Sequence, residues 1–151
     1  VGVGSECEWM DFFVYLDWEQ EKFSKHMAKE LPQGLAVTAL DQIPVPGRSP
    51  QAFAERFVLE FIHGADHEKF KEKLEVFLRA DTWPVSKLSK RGQTTTLDLR
   101  AMVTQVALER EKIIIDFNWR DIYVSPVFVL QGIDEQFSLV QARLLKTRQE
   151  L

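Results

Sequence analysis

The sequence predicts an α+β fold of two tandem ferredoxin-like (split βαβ) halves, the first incomplete and the second carrying a β-hairpin insertion. Three observations predict it. Short apolar stretches of period two alternate with stretches whose apolar residues recur every three to four positions. From Arg56 onward their order is strand, helix, hairpin, strand, strand, helix, strand. A breaker segment, Pro44-Val45-Pro46-Gly47-Arg48-Ser49-Pro50, sets that order apart from a strand–helix–strand before it. The expected division is therefore 1–44, a linker at 45–55, and 56–151 with the insertion at 84–103.

In the first half, Trp9–Leu16 is rich in aromatics and almost continuously apolar, as a strand buried on both faces would be. Asp17 is expected to cap a helix, with Gln20 in capping-box position. Phe23, Met27 and Leu31 give that helix one apolar stripe, and Pro32-Gln33-Gly34 ends it. Leu35–Leu40 then alternates as a strand. In the second half, Phe57, Leu59 and Phe61 form one face of a strand. Asp66 reads as the cap of a helix whose stripe is Phe70, Leu74, Phe77 and Leu78. Asp98–Met102 suits a single helical turn. Gln105–Arg110 and Lys112–Asn118 read as paired strands. Ser125-Pro126 opens a short helix closed by Gly132, and Phe137–Leu145 reads as the last strand before a polar tail.

Composition narrows the function classes. The chain has 151 residues, 45% hydrophobic and 28% charged, enough to bury a core. Its longest apolar runs, such as Phe12–Leu16 and Val127–Leu130, are too short to cross a bilayer. The single cysteine, Cys7, excludes an internal disulfide and fits a reducing, cytoplasmic setting. The chain begins at Val1 without Met, inside a glycine-containing loop, and reads as cut from a longer protein. Trp9–Leu16 would then lack a neighbouring strand, so either self-association of this fragment or docking of that strand against the Arg56–Leu145 half is expected.

A formal net charge of −4 opposes wholesale coating of nucleic acid, but one stretch runs the other way. Pro84–Val103 holds Lys87, Lys90, Arg91 and Arg100 against a single acid, Asp98, a local balance of +3. Two extended runs flank a turn in which Gly92 supplies a positive φ. The residues fit an anion-binding finger, and equally a solvated hairpin whose lysines keep an edge from pairing. Trp83, Trp119 and Tyr123 lie around this stretch or in the loop that follows Asn118. Exposed, they would stack on unpaired bases; buried, they would be ordinary core. Asp98 is expected to pin Arg100 or a backbone turn.

Val1–Asp11 (VGVGSECEWMD) resembles the "PVGVESEGEYLD" segment of the radical SAM-linked domain family of unknown function. Lys90-Arg91-Gly92 followed by Thr96-Leu97-Asp98-Leu99-Arg100 resembles that family's "KKG…(E/I)DLRP", with a Leu-Pro-x-Gly element (Leu31, Pro32, Gly34) between. Cys7 stands where the family has glycine, and Ala101 where it has proline. The family's "HLDL" and "GFNP"-like motifs would precede Val1. Members are fused to, or encoded beside, a radical S-adenosylmethionine enzyme, and lie near genes for ribosomal proteins and a ribonuclease. The resemblance implies a radical SAM partner and RNA as substrate class. The expected role is a non-catalytic docking module, with Lys87, Lys90, Arg91 and Arg100 on phosphates; the alternative is a protein–protein scaffold for the partner enzyme.

Other chemistry finds little support in the residues. An iron–sulfur cluster needs several cysteines, and there is one. Glu6 and Glu8 beside Cys7 disfavour its thiolate. His63-Gly64-Ala65-Asp66-His67 offers two imidazoles and a carboxylate, yet Asp66 is accounted for as a cap and no second ligand cluster accompanies it. His63 as the acid or base of an RNA-processing enzyme has nothing to pair with. No glycine-rich nucleotide loop is present. No cofactor and no metal are expected in this chain.

Overall fold

The structure, a computed structural model, describes residues 3–10, 19–41, 52–62, 64–89, 92–119 and 122–150. Its elements are β1 (Gly4–Ser5), α1 (Gln20–Glu30), β2 (Ala54–Phe61), α2 (Gly64–Arg79), β3 (Pro84–Leu88), β4 (Thr94–Asp98), α3 (Leu99–Met102), β5 (Val103–Glu109), β6 (Lys112–Asn118), α4 (Pro126–Ile133) and β7 (Ala142–Glu150). The chain divides into two units, Val1–Glu8 with Gln51–Leu151, and Trp9–Pro50.

In the larger unit a five-stranded sheet takes the order β1-β7-β2-β6-β5. Neighbours from β7 to β5 are antiparallel, and β1 runs parallel to β7. It follows that β2 is parallel to β5 across β6, and β6 parallel to β7 across β2. The crossovers β2–α2–β5 and β6–α4–β7 are thus two βαβ units, each split by a strand of the other. This is a mixed α+β fold. The period-two alternation makes the core. Phe57 and Leu59 of β2, Ile113, Ile115 and Phe117 of β6, and Ala142 and Leu144 of β7 are all buried. They cluster with Phe70, Leu74 and Phe77 of α2 and Val129, Leu130 and Ile133 of α4. Each of these Val, Leu, Ile and Phe side chains contributes about 1.5–3 kcal/mol on burial. The opposite face, with Arg56, Val58, Ile114 and Asp116, is half-buried.

The insertion forms a sheet of its own, β3 paired antiparallel with β4, and Gly92 between them has φ +79°. At the β5–β6 turn Arg110 takes φ +53°, a conformation usually left to glycine or asparagine.

Several sequence expectations are corrected. The last strand is Ala142–Glu150 and not Phe137–Leu145. Phe137 instead sits in the preceding loop, where it is buried against Phe61 and Phe70. The residues read as a polar tail complete the strand. In the smaller unit Leu35–Leu40 is irregular, with Leu35 63% exposed. Alternation makes a strand only where a neighbour completes its ladder, and among the described residues none pairs with this one. Helix α1 begins at Gln20 with Glu19 at its N-cap. The Gln20 amide donates to the Leu40 carbonyl and takes no part in a capping box. The expected stripe of Phe23, Met27 and Leu31 is half-buried, and the chain turns after it through Gly34 at φ +96°. Helix α2 starts at Gly64, so Asp66 lies inside its first turn. Trp9 and Met10 are irregular, and the rest of the strand expected at Trp9–Leu16 lies outside the described residues, as do Asp17, His63 and the proline-rich breaker.

Gly132 closes no helix; it lies inside the last turn of α4, whose C-cap is Asp134. A Cβ there would run into Leu99 Cδ1, a fully buried side chain, and come within 3.3 Å of Val85 Cγ2. Replacing a helical glycine by alanine normally gains up to about 1 kcal/mol. Here Gly132→Ala should instead cost about 1–3 kcal/mol through overpacking, read as a lower urea midpoint.

Candidate functional site

The base of the hairpin is organised by Asp98. Its Oδ1 accepts from the Arg100 N–H at 3.0 Å, as the N-cap of α3, and from the Trp83 N–H at 2.8 Å. The Leu99 N–H donates to the Trp83 carbonyl at 2.9 Å, so the two ends of the hairpin are clamped together. The Trp83 indole N–H donates to the Gly132 carbonyl at 2.8 Å, and its ring meets Phe77 edge-on at 5.5 Å. Trp83 therefore anchors the hairpin to α4 and α2, and its ring is half-buried.

The four cations expected on one basic face are not gathered on one exposed face by the described residues. Lys87 lies on the half-buried side of β3 with its ammonium 5.7 Å from the Phe128 ring centroid. Arg100 donates from Nη1 to the Val103 carbonyl at 2.8 Å and lies over Phe77 at 5.9 Å. Both use an aromatic face as a platform. Lys90 and Arg91 lie outside the described residues. The outer side of the hairpin carries Ser86, Leu88, Thr94 and Thr96, all exposed.

Trp119 is 4% exposed, stacked on Phe117 at 4.9 Å, with its indole N–H donated to Glu55 Oε2 at 2.8 Å. A buried ring offers bases no face; of the three aromatics Tyr123 is the exposed one, at 58%, with its ring edge-on to Trp119. Burial raises the Tyr123 phenol above its ordinary value, and the nearby Glu55 charge adds to this.

Glu55 leads to a network that the sequence reading missed. Lys146, 7% exposed, donates to Glu55 Oε1 at 3.2 Å, Glu8 Oε2 at 2.7 Å and Gln149 Oε1 at 2.8 Å. Burial works to lower the Lys146 ammonium, but Glu8 and Glu55 outweigh it and hold it above the ordinary lysine value. Glu6 N–H donates to the Lys146 carbonyl at 2.9 Å, so the same residue ties down the segment after β1. Cys7 lies beside it, and burial pushes its thiol up, Lys146 opposing only in part. A thiol so placed is a poor nucleophile. Charged groups at this sheet end are paired, which suits a structural clamp more than proton transfer.

His67 is buried, with Nδ1 3.3 Å from Glu68 Oε1, its ring against Phe61, and Nε2 without a hydrogen-bond partner among the described residues. No group of three or more His, Cys, Asp or Glu among the described residues is placed to hold a metal ion. No helix among them is long and apolar enough to cross a membrane.

The profile of a family described as an uncharacterized protein conserved in bacteria (DUF2344) matches residues 1–127. The chain belongs to this family. The DUF2344 match takes in the hairpin, the Asp98 clamp and Glu55, and it ends at the start of α4. Lys146 and all of β7 lie beyond it. No curated protein and no solved structure matches the chain.

Proposed function

We propose that this DUF2344 chain is a non-catalytic docking module that works with a radical SAM enzyme on an RNA substrate. The observation that carries the reading is the hairpin: a two-stranded sheet of its own, fixed at its base by Asp98 and Trp83 and lined on its outer side by hydroxyls. Ser86, Thr94 and Thr96 supply neutral contacts to a phosphate–sugar backbone, and Lys87, Lys90, Arg91 and Arg100 supply charge along and beyond it. Tyr123 is the stacking candidate. Both segments that resemble the radical SAM-linked family, Val1–Asp11 and Lys90–Arg100, fall inside residues 1–127. The cofactor and the radical chemistry belong to the partner in this reading.

Leu88, 69% exposed on the same outer side, favours a second reading in which the hairpin docks on the partner enzyme as a protein scaffold. Salt separates the two. Lys90→Glu with Arg91→Glu should weaken RNA retention and reduce the slope of log K against log salt by about 1.4, two phosphates at roughly 0.7 each for a single strand. A slope equal to that of the unaltered chain would remove RNA from the hairpin and leave the scaffold.

A further inference from the structure

An open pocket of about 170 Å³ lies on the sheet, lined by Arg56, Arg148, Asp116, Glu150, Thr104 and Asn118 among others. It sits where two bulges disturb the ladders, one between Arg56 and Phe57 against β7, the other between Val103 and Gln105 against β6. Bulges of this kind re-aim side chains, often beside binding sites. The register places Arg148 and Asp116 on either side of Arg56. Two arginines directly opposite each other repel, and no core packing requires them there.

Their present partners differ in grip. Asp116 takes the Arg56 guanidinium with two bonds, from Nε at 2.7 Å and Nη2 at 2.8 Å, which fixes its plane and leaves its other N–H groups unspent by that pair. Among the described residues Arg148 pairs with Glu150, two residues along the same strand, in a pair whose side chains are 58% and 37% exposed. Exposed pairs of that kind hold weakly and exchange readily. A single carboxylate is satisfied by one guanidinium fork, as Asp116 is. Two guanidiniums on adjacent strands suit an anion with more oxygens and more charge. In size, a cavity of about 150 Å³ accommodates benzene, so this pocket takes one group of that order. The third carboxylate at its lining, Glu55, is already committed to Lys146 and Trp119.

We infer that this pocket binds a phosphomonoester group, gripped between Arg56 and Arg148, with Glu150 as the internal anion that it displaces. The site is on the main sheet and not on the hairpin, so it stands independently of the RNA-docking reading. The group has two sources, a free small phosphate ester or the phosphorylated end of an RNA.

Calorimetric titration of the full chain, with ionic strength held constant by chloride, tests the site. The probes are inorganic phosphate, a nucleoside 5′-monophosphate, and one short RNA with and without its 5′-phosphate. The expected result is saturable binding of at least one phosphomonoester, about tenfold weaker in Arg148→Ala for the loss of charge-assisted bonds. Glu150→Gln should tighten it several-fold. Arg143→Ala, which removes an exposed charge elsewhere on β7, should leave it unchanged. Arg148 is itself exposed, so its replacement keeps the fold; Arg56→Lys, which keeps charge but loses the fork, should weaken binding as well. Response to the monophosphate assigns a free ligand, and response only to phosphorylated RNA assigns an RNA end; either supports the site. It is overturned if no phosphomonoester binds saturably, if Arg143→Ala weakens binding as much as Arg148→Ala, or if Glu150→Gln fails to tighten it. RNA that binds equally with and without its 5′-phosphate, indifferent to Arg148→Ala, overturns it too when neither inorganic phosphate nor the monophosphate binds.

Discussion

Lys146→Ala should lower the stability of the chain by about 3–5 kcal/mol, because it strands a buried carboxylate. Glu55 is 4% exposed and, among the described residues, pairs with the Lys146 ammonium on one oxygen and the Trp119 indole N–H on the other. Without the ammonium, Glu55 must either stay charged without compensation or take up a proton. The pair itself is not the source of that figure. A buried ion pair often does no better than apolar residues of equal volume, and the penalty comes from breaking it on one side. The test is therefore a pair of variants. Lys146→Met should be strongly destabilising in urea, and Lys146→Met combined with Glu55→Gln much less so, since glutamine removes the charge yet still accepts from Trp119. A Lys146→Ala cost below about 1 kcal/mol would show the network to be a surface-like pair. The pH dependence has a definite sign. The Lys146 ammonium is held above its ordinary value of 10.5. Its contribution is therefore complete below that value and is lost only as pH rises through the higher folded-state value. The unaltered chain should lose stability on the alkaline side in a step that Lys146→Met lacks.

The same network shows where the sequence stops being readable. Features that depend on neighbours in the chain could be read directly. The period-two faces of β2 and β6, the stripes of α1 and α2, the positive φ at Gly92 and the helical turn at Asp98–Met102 all follow from residues a few positions apart. The Glu55–Lys146 contact joins residues 91 positions apart, and nothing local announces it. Worse, a lysine on the core face breaks the apolar alternation, so β7 appeared to end at Leu145 when it runs to Glu150. A strand pattern that would have tolerated one buried charge diagonal to a buried acid on the neighbouring strand was the missing signal. Trp119 misled in the opposite way. Its neighbours in sequence are polar, but its indole N–H is satisfied by that distant acid, which lets the ring be buried. Leu35–Leu40 has the alternation of a strand and no ladder among the described residues, because periodicity describes the chain and pairing needs a partner. The pocket at Arg56 and Arg148 had no local signature either, since it exists only through the register of β2 with β7.

Asp98→Ala should be the second most damaging change, at about 2–4 kcal/mol, and it acts where fold and proposed function meet. One carboxylate oxygen serves two backbone donors, the Arg100 N–H that opens α3 and the Trp83 N–H that opens the hairpin. Loss of an N-cap costs about 1 kcal/mol, and an orphaned, part-buried N–H a further 1–3 kcal/mol. The effect should be concentrated at the hairpin base, because the Leu99 N–H to Trp83 carbonyl bond is the other backbone tie there and Gly132 then holds Trp83 by its indole alone. Amide exchange should therefore quicken across β3 and β4 more than across β2 and β6. Asp98→Asn keeps an acceptor oxygen in the same place and should recover most of the stability and the protection. Only the loss of the carboxylate's charge then separates it from the unaltered chain. If the hairpin is the docking element, RNA retention should fall in Asp98→Ala and return in Asp98→Asn, following hairpin protection and not net charge. Retention that instead rises in both variants, as one negative charge is removed, would mean that RNA responds to bulk charge and that the hairpin's fixed geometry is irrelevant to it.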